Sequence, residues 1–175
     1  MTVARARIGV RQARRALAQY RAGAAPRELP PIEGVRFTPC TPDQAKRAAL
    51  ASGIRASAAA AAVRSGALTA YQVSIGSDSS TYLCRYDGGT ATTEVYPASG
   101  PRGPVDHRAV AALARALVAA GPDLRRVAIS LPPAAPSGPA LVGLGFLDEG
   151  WSAPPAGGLI GADGGDWHMY TLLAH

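Results

Sequence analysis

The sequence predicts an α+β domain, a mixed and mainly antiparallel sheet flanked by helices, with a basic helical extension at its N-terminus. Three observations predict it. Hydrophobic spacing is helical over 3–21 and over 41–64, either side of a short alternating run at 34–40, alternates from 67 to 97, and becomes helical again from 104 to 120. Glycine and proline clusters punctuate those blocks. The 175 residues are 47% hydrophobic and 17% charged, a composition and length suited to one core rather than two. Residues 1–33 read as a basic arm with a Pro-rich spacer, and 34–175 as the domain.

The elements follow in order. In the arm, Val3, Ala6, Val10, Ala13, Leu17 and Tyr20 fall on one helical stripe of residues 3–21, with arginines over most of the remaining surface. GVRFTPC (34–40) alternates through Val35 and Phe37 as a short strand. Thr41 is an N-cap, followed by Pro42 at the first helical position and Gln44 at capping-box spacing. That helix stops near Ser52-Gly53, and a second Ala-rich helix over 54–64 ends at Ser65-Gly66. ALTAYQVSI (67–75), STYLCRYD (80–87) and TATTEVYP (90–97) are three antiparallel strands joined at Gly76-Ser77-Asp78-Ser79 and Asp87-Gly88-Gly89.

A helix over 104–120 presents Val110, Leu113, Ala114, Leu117 and Val118 on one face and stops at Gly121-Pro122. Gly103 is its expected N-cap, with Pro104 first and Asp106 third in the helix. RRVAISL (125–131) lacks strict alternation, as a strand covered on both faces does. Strand, helix and strand in succession predict a parallel crossover. A short helix over 138–143 and two paired strands, GFLDEGWS (145–152) and DWHMYTLLA (166–174), close the chain.

Charge and reactive residues narrow the function. The net charge is +6, yet Arg5, Arg7, Arg11, Arg14, Arg15, Arg21 and Arg27 all precede the first acid, Glu28, so the first 27 residues carry +7. The rest is nearly neutral, and a high pI is therefore no argument for a nucleic-acid-binding body. The arm itself is open to two readings: a solvated helix docked on the domain, or a grip on a protein partner or nucleic acid. No apolar run spans a membrane and no secretory core is present, so a cytoplasmic protein is expected, although an Arg-rich, acid-poor start is also what organellar transit peptides share. Cys40 and Cys84 read as reduced structural thiols. His107, His168 and His175 are scattered without ligand spacing, so no metal is expected. No nucleophile elbow is present. Tyr71, Tyr82, Tyr86 and Tyr96 lie on adjacent strands with Arg85 as the one base among them, which favours a packed or half-exposed sheet face over a base-stacking platform.

The element order, together with VYPASGPRGPV (95–105), LVGLGFLDEGW (141–151) and WHMYTLL (167–173), resembles the GNAT superfamily of acyl-CoA-dependent N-acyltransferases over roughly residues 34–174. The resemblance implies transfer of an acyl group from acetyl-CoA or another acyl-CoA to an amine. It places a pyrophosphate loop, written Gln/Arg-x-x-Gly-x-Gly/Ala, on Gly100-Pro101-Arg102-Gly103-Pro104-Val105, where Gly103 matches. It further implies that Val95, Tyr96, Gly100, Arg102 and Gly103 hold the acyl-CoA. Pro101 and Pro104 have no N–H to give, Val105 is branched, and Asp106 adds a negative charge at the helix start, so an altered phosphate grip is expected. Leu141 stands where many such enzymes place a tyrosine acid. Glu94, on the same strand face as Tyr96, is the candidate general base, with a water as the alternative that the resemblance also allows. The alternative is a non-catalytic structural or assembly protein of the same fold that works through its arginine arm.

Overall fold

Thr41 and Gln44 form the expected capping box: the Gln44 N–H donates to Thr41 Oγ1 at 3.3 Å, and the Thr41 N–H donates to Gln44 Oε1 at 2.7 Å. They open α1 (Pro42–Ala51) directly after β1 (Val35–Pro39) in a computed structural model that describes residues 28–51, 54–98, 106–131, 138–152 and 167–174. The expected helix over 3–21 and its arginines lie outside the described residues. After α1 come α2 (Ala56–Ser65), β2 (Thr69–Ile75), β3 (Asp78–Asp87), β4 (Thr92–Pro97), α3 (His107–Ala120), β5 (Arg126–Leu131), α4 (Gly138–Gly143), β6 (Leu147–Ser152) and β7 (Trp167–Leu173).

The seven strands form one sheet in the order β1-β2-β3-β4-β5-β7-β6, antiparallel throughout except for the parallel β4–β5 pair. The first hairpin turns on Gly76 and Ser77, with Gly76 at φ +60° in the first position, where a side chain would be strained. The second needs four residues, not two. Asp87 accepts from the Gly89 N–H at 2.9 Å and from Thr90 Oγ1 at 3.0 Å, which holds Thr90 and Ala91 in the turn and starts β4 at Thr92. The final two strands pair as expected, but the chain inserts β7 between β5 and β6. Trp167, Tyr170 and Thr171 of β7 are buried, whereas Leu147 and Trp151 leave β6 exposed at the edge.

Alternation divides the core into two. On one face Tyr71, Val73, Tyr82, Val95, Ile129 and Leu131 meet Val110, Leu113 and Leu117 of α3 together with Leu141 and Phe146 around α4. The other face sends Ala70, Leu83 and Tyr96 against Ala45, Ala49 and Ala59 of the two Ala-rich helices. Small side chains let those helices lie close to the sheet. Of the strand tyrosines, Tyr71 and Tyr82 are fully buried, Tyr96 nearly so, and Tyr86 is half-buried against the core.

The start of α3 corrects the sequence expectation. The helix begins at His107, and its N-cap is Asp106, not Gly103. A carboxylate accepts a backbone N–H that glycine has no side chain to meet, so Asp106 takes the Arg108 N–H at 2.9 Å and ends the helix there. Tyr82 Oη reaches the Asp106 carbonyl at 3.4 Å from the sheet.

Candidate functional site

The β4–β5 ladder contains four pairs, Thr92–Arg126 to Val95–Ile129, and then ends. Both strands continue: β4 stays paired with β3 through Pro97–Tyr82, and β5 with β7 through Leu131–His168. The two strands therefore part beyond Val95 and Ile129 while each keeps its outer neighbour. Pro97 gives a physical reason. The Ala98 N–H donates to the Thr81 carbonyl at 2.7 Å toward β3, so by strand alternation the nitrogen of Pro97 faces β5, where it has no hydrogen to offer.

Glu94 stands one residue before this parting, and the β3–β4 register sets it directly opposite Arg85. Arg85 Nη2 lies 2.8 Å from Glu94 Oε2, and Tyr96, two residues along the same face, donates its phenol to the same oxygen. Glu94 Oε1 has no partner among the described residues. The carboxylate is thus held at one oxygen, with 29% of its side chain exposed. Burial first, and then the negative Glu94 beside it, push the Tyr96 phenol well above its ordinary range. Tyr96 stays protonated and remains a donor.

Val95 and Tyr96, expected to hold the acyl-CoA, lie at the mouth of the parting, with Val95 in its last ladder pair. Gly100, Arg102 and Gly103 lie outside the described residues. Beyond Val95 and Ile129 the two strands make no ladder pairs with each other. The phosphate side fits poorly: Asp106 already accepts an N–H from the first turn of α3 and sets a carboxylate where a helix terminus would attract an anion.

Sequence reasoning named Glu94 and Tyr96 but missed Arg85 as their partner. A two-residue Gly88-Gly89 turn would set Arg85 opposite Thr92. The signal that corrects it is Asp87 followed by Thr90, two side chains suited to closing a longer turn. Pro97 was a second available signal, since a proline inside a strand marks a side on which no ladder forms.

A second polar group lies across β6 and β7. His168 Nε2 meets Asp148 Oδ1 at 2.5 Å, and the His168 ring stacks on Tyr170 with centroids 4.8 Å apart and 13° between planes. Trp151 borders the same ring at 4.8 Å. The hydrogen bond to His168, followed by one from the Gly150 N–H, holds the Asp148 carboxyl below its usual range. A lowered folded-state pKa contributes stability above the unfolded value and loses it as pH falls through the folded value. Asp148→Asn is therefore expected to remove a small contribution that the wild type has near pH 7 and to leave the two proteins equally stable at the acid end, so that the limb below about pH 4 flattens. Urea denaturation of both proteins across that range checks it.

Among the described residues no three His, Cys, Asp or Glu side chains converge as a metal site. No helix among them is long and apolar enough to cross a membrane. Burial raises the thiol pKa of both free cysteines, Cys84 most strongly.

No protein-family model matches the sequence, and no curated protein matches it at a meaningful level. Solved structures do. The ribosomal-protein-S5-alanine acetyltransferase of Vibrio fischeri is 14% identical, with 84% of this chain and 97% of that one covered at a TM-score of 0.53. A Chromobacterium violaceum chain described as a probable acetyltransferase of the GNAT family is 18% identical, with coverages of 86% and 88% and a TM-score of 0.55. RimL, a ribosomal L7/L12 alpha-N-protein acetyltransferase in complex with coenzyme A, is 12% identical, with 83% and 97% covered at 0.53. Identities this low speak to architecture alone, and with a seven-stranded, mainly antiparallel sheet flanked by helices the chain has the GNAT fold.

Proposed function

We propose that the protein is an acyl-CoA-dependent N-acyltransferase, with an amine as acceptor. The observation that carries this reading is the parting of β4 from β5 beside a carboxylate anchored at one oxygen and open at the other. The acyl-CoA supplies an activated thioester when bound. Val95 and Tyr96 would border its thioester arm, and Gly100, Arg102 and Gly103 its phosphates.

Glu94 acts on the acceptor. An amine attacks only as its neutral form and sheds a proton once the C–N bond forms, so a carboxylate within hydrogen-bond reach serves it as base. Arg85 and Tyr96 fix the Oε2 side, which turns Oε1 toward the ligand without the entropy loss of freezing a mobile chain. The likeness to acetyltransferases, one of them holding coenzyme A, supports the cosubstrate.

Ligand-induced stabilisation tests the reading. Acetyl-CoA at about 100 times its dissociation constant adds about 2.7 kcal/mol by mass action. For a chain of this size that is an increase of roughly 5–10 °C in Tm. Calorimetry supplies the dissociation constant independently. No shift and no binding heat with acetyl-CoA or longer acyl-CoAs would remove the enzyme reading and leave the non-catalytic alternative.

A further inference from the structure

Among the described residues five large apolar side chains are exposed, and four of them lie at one end of the sheet: Val142 on α4, Leu147 and Trp151 on β6, and Leu173 on β7. Each of the four is between 43% and 60% exposed. A single exposed leucine, such as Leu50 on α1, needs no explanation, but a concentration at one edge marks an interaction surface. β6 is also the last strand of the sheet, and no described strand pairs with its outer side.

The edge does not invite a second sheet. A register shift between Asp148 and Gly150 bulges the strand, and Asp148 and Glu149 are its charged residues. Two β6 strands side by side would bring four carboxylates together, so pairing of β6 with itself is disfavoured. A basic occupant with an apolar stripe fits instead. Asp148 gives Oδ1 to His168 and to the Gly150 N–H, and Glu149 gives Oε2 to Arg126. The second oxygen of each carboxylate has no partner among the described residues.

The chain itself contains such a segment. Residues 3–21 carry Val10, Leu17 and Tyr20 on the helical stripe their spacing predicts, and the first 27 residues hold seven arginines and no acid. As a helix, 3–21 measures about 28 Å, enough to run the length of β6 at about 20 Å. Its own β6 is out of reach. Leu29 packs on the core and Ile32 bridges to Val35 at the start of β1, the opposite edge of the sheet. Six strand spacings, about 29 Å, separate that edge from β6 even on a straight line. Residues 22–27 let Arg21 stand at most about 24 Å from Glu28, and the path must also bend around the sheet and its helices.

We propose that the protein is a dimer in which the arm of each copy lies along β6 of the other, its arginines on Asp148 and Glu149 and its stripe against the exposed apolar side chains of that edge. Exchange about a twofold axis forms the contact twice and closes the assembly. The contact is independent of the acyl-transfer reading.

Sedimentation of the full chain tests it. A dimer that dissociates on dilution is expected, with a dissociation constant that rises about tenfold or more between about 0.1 and 0.5 M salt, because exposed charges are screened. Trp151 reports the same event: the chain has two tryptophans, Trp167 is already buried, and a red shift of emission on dilution follows Trp151 into water. Reversing the arm with Arg11→Glu, Arg14→Glu and Arg15→Glu, or the edge with Asp148→Lys and Glu149→Lys, is expected to give monomers. Mixing the two variants sets an acidic arm against a basic edge and a native arm against a native edge, so a heterodimer is expected to form. Trp151→Ser, at an exposed position, replaces the edge variant if that one folds poorly, and is expected to raise the dissociation constant about tenfold. A wild-type chain that stays monomeric at about 100 μM overturns the proposal. A dimer that survives both charge reversals also overturns it, as do folded variants that remain monomeric when mixed.

Discussion

Glu94→Gln is expected to lower kcat about 10²- to 10⁴-fold for any amine the wild-type protein accepts, the range lost when a positioned general base is removed. Glutamine keeps the shape of glutamate, and its carbonyl oxygen still accepts from Tyr96 and Arg85. What disappears is the capacity to take a proton. The fold should tolerate the change, because the Arg85–Glu94 pair is about one third exposed on either side and such pairs contribute about 0–1 kcal/mol. Tm therefore serves as the control, and release of free CoA thiol from acetyl-CoA as the readout. Tyr96→Phe loosens the carboxylate without removing it, so a smaller loss is expected, mainly in kcat. Equal turnover by Glu94→Gln and wild type would remove Glu94 from the mechanism and leave proton transfer to water.

The largest effect on stability is expected from Leu117→Ala. Leu117 is fully buried on the face of α3 that meets Tyr71, Val73 and Ile129. Truncation there loses transfer free energy and opens a cavity in a part of the core where α3 and the sheet hold each other at a fixed spacing. About 2–5 kcal/mol of stability is expected to go, or roughly 4–20 °C in Tm for a chain of this length. Leu50→Ala provides the contrast: the side chain is 67% exposed on α1, and its removal should change stability by less than about 0.5 kcal/mol. Urea denaturation of the two variants gives the comparison. A Leu117→Ala protein as stable as wild type would mean that α3 does not clamp the sheet as described.

Much of the fold was legible where neighbouring residues decide. Thr41 and Gln44 announce a helix start because each satisfies a backbone N–H that the helix leaves open. Val110, Leu113 and Leu117 announce the inner face of α3 by their spacing, and RVAISL announces a strand buried on both sides by its lack of alternation. Misreadings also had local causes. Gly103 was expected to cap α3 because Pro104 suits a first helical position, yet Asp106 competes with a carboxylate and wins. The β3–β4 turn was expected to be short because Gly88-Gly89 suits a tight hairpin, yet Asp87 and Thr90 close a longer one.

The candidate site was legible only in part. Glu94 and Tyr96 share a face by simple alternation, and that much needs no partner strand. Arg85 joins them only through the register, which a change of two residues in the turn would shift.

The sequence by itself determined the order of the elements, their caps and turns, and which residues point to a core, because those depend on contacts within a few positions of the chain. Tertiary structure alone decided that β7 lies between β5 and β6, that β4 and β5 part after Val95, and that Tyr170 meets Gly138. These rest on pairings between distant segments, made largely by backbone groups that are the same at almost every residue. Side-chain patterns say that a strand needs neighbours. Only the closed sheet, with every strand competing for the same edges, selects which neighbours it gets and where a pair is left open.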